Sequence, residues 1–125
     1  MRDLDIITKH IVHCSDSTFG DAETIDKWHK ERGWNGIGYH FVILPDGTVE
    51  CGRDWKEVGA HCKGENRVSI GTCLIGKDTF TSAQMKALAE LDKHLKLMFP
   101  NMKTYGHRDF SHKPCPNFNV KQLFN

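Results

Sequence analysis

No apolar run in this chain approaches the roughly 20 residues needed to cross a bilayer. The longest such stretches, 37–44 and 68–75, are short and broken by polar side chains, so no membrane insertion is expected. An excess of basic charge is also missing, with 17 Lys and Arg against 16 Asp and Glu. That balance leaves no footprint for a phosphate backbone and argues against nucleic acid as a partner. The first ten residues include Asp3 and Asp5 and no uninterrupted apolar core, so no signal peptide is read there. The expectation is a cytoplasmic product that leaves only if another agent releases it. An even cysteine count is lacking too. Cys14, Cys51, Cys62, Cys73 and Cys115 are irregularly spaced, in a chain large enough to fold without cross-links. At least one therefore has a task other than an intrachain disulfide, and reduced thiols are expected.

What is present suits one domain: 125 residues with 38% hydrophobic content support a single core and not two. Residues 6–12 mix β-branched and polar side chains and stop at His13-Cys14-Ser15-Asp16-Ser17, which predicts a strand delivering His13 at its C-terminal end. Asp21 is placed to cap a helix running to Arg32, with Ile25 and Trp28 at helical spacing and Gly33 as the stop. A hairpin is predicted from 38–44 and 48–52 around Pro45-Asp46-Gly47. Alternation would put Tyr39, Phe41 and Ile43 on one face of it and His40, Val42 and Leu44 on the other. The apolar run 68–75 reads as a strand buried on both faces. Thr81-Ser82-Ala83-Gln84 is a capping box, after which Met85, Leu88, Leu91, Leu95 and Met98 recur at helical intervals as far as Pro100. A short extended piece at 103–105, a loop holding His107, Lys113 and Cys115, and a helix at 120–124 complete the chain. This alternation predicts an α/β (α+β) fold, a central mixed β-sheet flanked by helices.

His13, His107 and Cys115 offer two imidazoles and a thiolate, a set that suits tetrahedral zinc with a fourth position for water. Spacing alone does not select them, because eight histidines and five cysteines offer many triples. Taken singly, His13 also fits a strand end, His107 an exposed loop, and Cys115 a small apolar residue between Pro114 and Pro116.

A wider set of motifs narrows the choice. In order along nearly the whole chain stand His13-Cys14-Ser15, Trp34-Asn35-Gly36-Ile37-Gly38-Tyr39-His40-Phe41-Val42-Ile43, Asp46-Gly47-Thr48-Val49 and Gly52-Arg53. They are followed by Val58-Gly59-Ala60-His61, Asn66, Ser69-Ile70-Gly71, Gly106-His107-Arg108-Asp109 and Lys113-Pro114-Cys115-Pro116. In these residues the chain resembles the type 2 N-acetylmuramoyl-L-alanine amidases, a family that includes phage amidase-type lysozymes and peptidoglycan recognition proteins. The resemblance implies one zinc ion held by His13, His107 and Cys115, and catalytic positions at Tyr39 and Lys113. It implies hydrolysis of the amide between N-acetylmuramic acid and L-alanine in bacterial peptidoglycan, by a phage endolysin made in the host cytoplasm and released to the wall. Residues 1–125 would then be a single zinc amidase catalytic domain, expected to act as a monomer. His61 and Asn66 border the cleft in the family and are expected to bind substrate.

The chemistry fits those residue types. A lysine beside the substrate carbonyl stabilises charge that exists only once attack begins. A phenol, whose ordinary pKa is near 10, orients water better than it abstracts a proton. Without a metal site, Lys113 would read as a solvated loop residue and Tyr39 as an anchor of the sheet rim. The family often has glycine where Asn117 stands and aspartate where Asn119 stands. Asparagine tolerates positive φ and caps helices, so the fold is expected to survive both departures, while loss of the aspartate charge would tune the metal site.

Three other readings compete. A recognition module would bind peptidoglycan without cutting it, as members of the superfamily lacking the cysteine do, but Cys115, Tyr39 and Lys113 together argue against this. A cysteine hydrolase would use Cys115 as nucleophile and His107 as base. Some phage lysozymes of the family also bind and inhibit their phage's RNA polymerase, and the sequence leaves that partnership open.

Overall fold

The structure is a computed structural model that describes residues 2–125. Its main elements are β1 (Lys9–Cys14), α1 (Ala22–Glu31), β2 (Phe41–Ile43), β3 (Val49–Cys51), β4 (Ser69–Leu74), α2 (Ser82–Met98), β5 (Lys103–Gly106) and α3 (Val120–Phe124). The strands form one sheet in the order β3-β2-β4-β1-β5. β1 pairs in parallel with β4 and β5, β2 pairs in parallel with β4, and only the β2–β3 hairpin is antiparallel. The expected mixed sheet flanked by helices is therefore what forms.

Central parallel strands must be apolar on both sides, and all six residues of β4 are buried. α2 covers one face, where Val12, Ile43, Leu74 and Leu88 pack together beside a second cluster of Ile7, Ile70, Leu95 and Phe99. α1 covers the other, with Ile25 against Ile37, Val42, Cys73 and Ile75. Thr81 and Gln84 form the capping box that starts α2. The Gln84 amide also donates to the carbonyls of Ile43 at 3.1 Å and Ile75 at 2.8 Å, which ties the helix start to two strand ends.

The structure departs from the sequence expectations at three places. Residues Leu4–Ile6 form a 3-10 turn capped by Asp3, and β1 begins only at Lys9. Met98 is 53% exposed, while the buried face of α2 is Gln84, Leu88, Asp92 and Leu95. Apolar periodicity misses Asp92 because its burial rests on polar partners: His10 Nδ1 at 2.8 Å, Lys96 Nζ at 2.9 Å and the Thr104 hydroxyl. Tyr39 packs with Val42 and Leu44, not with Phe41 and Ile43. The cause lies at Gly38, where an added Cβ would meet the Ala60 carbonyl oxygen at 2.1 Å. Residues 38–40 are packed backbone to backbone on a neighbouring loop, so strand alternation starts only at Phe41.

Candidate active site

Because β1 and β5 are parallel, their C-terminal ends lie at one edge of the sheet, the edge where ligands of open α/β sheets bind. β1 ends in His13 and Cys14, and β5 runs directly into the turn His107–Asp109. The loop after that turn is pinned back onto the same edge. The Arg108 N–H donates to the Cys115 carbonyl at 2.7 Å, and the Cys14 N–H donates to Cys115 Sγ at 3.0 Å. Asn117 adopts a φ of 73° and Asn119 caps α3 through the Gln122 N–H, so both asparagines take the backbone roles expected of them.

The result is a cluster. One ligand-type atom from each of His13, His107 and Cys115 lies within 4.8 Å of the others. The His13 ring stands 4.5 Å from that of His107 and 5.1 Å from that of Tyr39, between centroids. All three cluster residues line a cleft of about 390 Å³ together with Tyr39 and Lys113, a size suited to a ligand of drug or oligopeptide dimensions. Asp16 and Arg32 share this cleft and were not singled out from the sequence. Asp16 follows the C-terminal end of β1, so the rule that ligands sit at strand carboxyl ends would have pointed to it; Arg32 comes from the end of α1, and only the folding of α1 over the sheet reveals it.

Electrostatics prepares these groups. Burial, reinforced by His61 and His107, holds the His13 pKa well below the ordinary histidine value. Burial and the Lys113 charge lower that of His107. Both rings are thus kept in the neutral form a metal requires. Burial pushes the Tyr39 phenol well above its ordinary value, which makes it a hydrogen-bond donor and not a base at neutral pH. Cys14 and Cys115 lie with their sulfurs 3.5 Å apart. Their first ionisation is eased because the remaining S–H donates to the thiolate, and their second is opposed by it and by burial. The Cys14 N–H aimed at Cys115 Sγ favours the negative charge there. All five cysteines are free thiols.

His61 and Asn66, expected from the resemblance to bind substrate, are held by contacts inside the protein. His61 is 9% exposed and both its ring nitrogens face internal partners, His13 at 2.9 Å and Ser69 at 3.2 Å. The Asn66 side-chain oxygen accepts from the N–H groups of His61 and Cys62 at 2.9 and 2.8 Å. Buried polar atoms must be satisfied, and here the loop itself does so. Arg2 adds to its rigidity by donating to the carbonyls of Trp55, Asn66 and Ser69 at 2.8–2.9 Å.

Buried neutral histidines set an acid limit to stability. Burial lowers the His40 pKa from 6.5 to about 4, and His13 and His61 move the same way. A depressed histidine contributes stability that is complete above the unfolded pKa and is lost as pH falls, because the unfolded chain then binds more protons. His40 alone accounts for about 2 kcal/mol lost between pH 7 and pH 5. Urea titrations of the chelated protein should show a clearly lower midpoint at pH 5 than at pH 7. Equal midpoints would contradict these buried neutral states.

With a His-His-Cys donor set at the carboxyl edge of parallel strands, open to a cleft that also holds a cation and a phenol, this is an α/β domain whose site lies at the sheet edge. Residues 3–118 match the family described as N-acetylmuramoyl-L-alanine amidase. The chain is 43% identical over 122 residues to an endolysin of Klebsiella phage KP32, covering 89% of this chain and 81% of that protein. It is 35% identical over 106 residues to peptidoglycan-recognition protein SC2 of Drosophila melanogaster, covering 78% of this chain and 57% of that one. The fold matches the amidase LysC of Clostridium intestinale URNW with a TM-score of 0.88 at 30% identity, over 97% of this chain and 84% of that one. The chain belongs to the N-acetylmuramoyl-L-alanine amidase family, and its enzyme activity is that of an N-acetylmuramoyl-L-alanine amidase.

Proposed function

We propose that residues 1–125 act as one zinc-dependent catalytic domain that cleaves the amide between N-acetylmuramic acid and L-alanine in bacterial peptidoglycan, in the service of phage-type lysis. The observation that carries this reading is the convergence of His13, His107 and Cys115 in a cleft that also holds Tyr39 and Lys113. The endolysin among its relatives supports the lytic setting, in which the protein would be made in the host cytoplasm and released later to the wall. Among the described residues no helix is long and apolar enough to cross a membrane.

The donor set fits zinc. Ligands around a tetrahedral zinc stand roughly 3.5 Å apart, and the three atoms here are already within 4.8 Å of one another. The buried imidazoles are held neutral, and a backbone N–H supports charge on Cys115. When bound, zinc supplies Lewis acidity, polarising a carbonyl and making water a stronger nucleophile.

The chain's own residues do the rest. Lys113, on the exposed cleft wall, presents its ammonium to the substrate carbonyl oxygen, whose charge grows as the carbon becomes tetrahedral. Tyr39 keeps its proton because burial disfavours the phenolate, so it orients water or substrate by donating a hydrogen bond. The leaving amine takes up the proton that the attacking water gives up as its oxygen bonds to the carbonyl carbon, so the broken C–N bond is replaced by a C–O bond with no net proton change.

Purified peptidoglycan should release new L-alanine amino groups with the zinc-loaded protein, without new reducing sugar ends. A chelator should cut that release by about 100-fold or more, and added zinc should restore it. Full activity of the metal-free protein would sink the zinc reading. Retained wall binding without amine release under any metal condition would favour a recognition module.

A further inference from the structure

Glycine in the middle of a strand is a weakness unless something must come close, and Gly71 lies inside the buried strand β4. A Cβ at Gly71 would stand 2.5 Å from Cγ of His61, and a Cβ at Gly59 would stand 2.7 Å from Cδ2 of the same ring. Two glycines thus clear one slot, and the imidazole in it meets the His13 ring edge-on, with centroids 5.0 Å apart at 89°. The backbone is shaped around this pair.

The proton arrangement follows from hydrogen-bond chemistry. The Ser69 hydroxyl donates its only proton to the Glu65 carbonyl at 2.7 Å, since a carbonyl can only accept. Ser69 must therefore accept from His61, whose Nε2 lies 3.2 Å away, which places the proton of neutral His61 on Nε2. His61 Nδ1 is then a lone pair, and it faces His13 Nε2 at 2.9 Å. His13 must carry its proton on Nε2 and donate it. The one lone pair left on the His13 ring is at Nδ1.

We propose that His61, backed by Ser69 and the Glu65 carbonyl, is a positioning residue that locks His13 in its Nε2–H tautomer and so reserves Nδ1 for the metal. This role rests on His13 being a metal ligand. It is the arrangement by which an outer hydrogen-bond partner commonly fixes a ligating imidazole, with a serine-backed histidine in place of a carboxylate. A neutral acceptor adds no charge to the centre, so the net charge of the donor set stays that of one thiolate.

Two variants and the unmodified protein test it. His61→Phe fills the slot and removes the acceptor, while His61→Asn returns an oxygen near the Nδ1 position. Zinc affinity, measured by competition with a chromophoric chelator, should fall 10- to 100-fold in His61→Phe and stay within about 3-fold of the parent in His61→Asn. Nitrogen-15 spectra of the metal-free parent at neutral pH should show His13 protonated at Nε2, and those of His61→Phe should show both tautomers. Undiminished zinc affinity in a folded His61→Phe, or a parent His13 protonated at Nδ1, would overturn the proposal and leave the zinc reading intact. Failure of the parent to bind zinc would overturn the zinc reading, and this role with it. The tautomer is read on the parent, so the test survives if His61→Phe does not fold.

Discussion

Cys115→Ser should abolish amine release from peptidoglycan, to at least about 1,000-fold below the parent, while the chain keeps its fold. Cys115 is the only soft donor of the three-residue cluster, and a serine hydroxyl is a far weaker zinc ligand than a thiolate. The backbone that carries it is held independently: the Cys115 carbonyl accepts from the Arg108 N–H at 2.7 Å, and the Asn117 N–H donates to the Pro114 carbonyl at 2.7 Å. What serine loses is the sulfur that the Cys14 N–H and the neighbouring histidines surround. Metal analysis should show zinc lost in parallel with activity, and circular dichroism should match the parent. A cysteine nucleophile would also fail in this variant, so the two readings separate on the parent. Iodoacetamide should alkylate Cys115 slowly when zinc is present, whereas rapid alkylation regardless of zinc would favour a cysteine hydrolase. Zinc content and activity unchanged in Cys115→Ser would remove Cys115 from the site.

Lys113→Ala should retain zinc and wall binding but slow turnover by about 100- to 1,000-fold, the usual effect of removing one oxyanion-stabilising donor. Lys113 is exposed on the cleft wall and two positions before Cys115, so its removal leaves the core untouched. Its charge matters most where charge is born, in the transition state, and the loss should therefore fall on kcat more than on KM. Lys113→Arg should recover only part of the rate, because a planar guanidinium cannot replace a compact ammonium in geometry. A loss confined to KM would assign Lys113 to substrate binding, and an unchanged rate would return it to an ordinary surface lysine.

The stretches most legible in the sequence were those whose signal is local. The capping box of Thr81 and Gln84 starts α2 where expected, Asp21 caps α1, and the buried run around β4 forms the central strand. Local chemistry suffices there, because caps and periodicity act within a few residues. Signals failed where burial was bought with polar partners or with backbone contact. Asp92 on the inner face of α2 and Tyr39 beside the loop at Ala60 are the two clearest cases.

The order of the elements, the mixed sheet and the residue types from which a metal site could be made are all written in the sequence, since these follow from apolar pattern and side-chain chemistry. The motif resemblance already pointed to His13, His107 and Cys115 among eight histidines and five cysteines, but their meeting in space is the work of the tertiary structure. The parallel pairing of β1 with β5 brings His13 and His107 to one edge, and the hydrogen bonds of Cys14 and Arg108 draw in Cys115 from 101 residues away. It also decided that His61 faces inward, because the slot that receives it is built from Gly59 and Gly71, on separate segments that no local pattern relates.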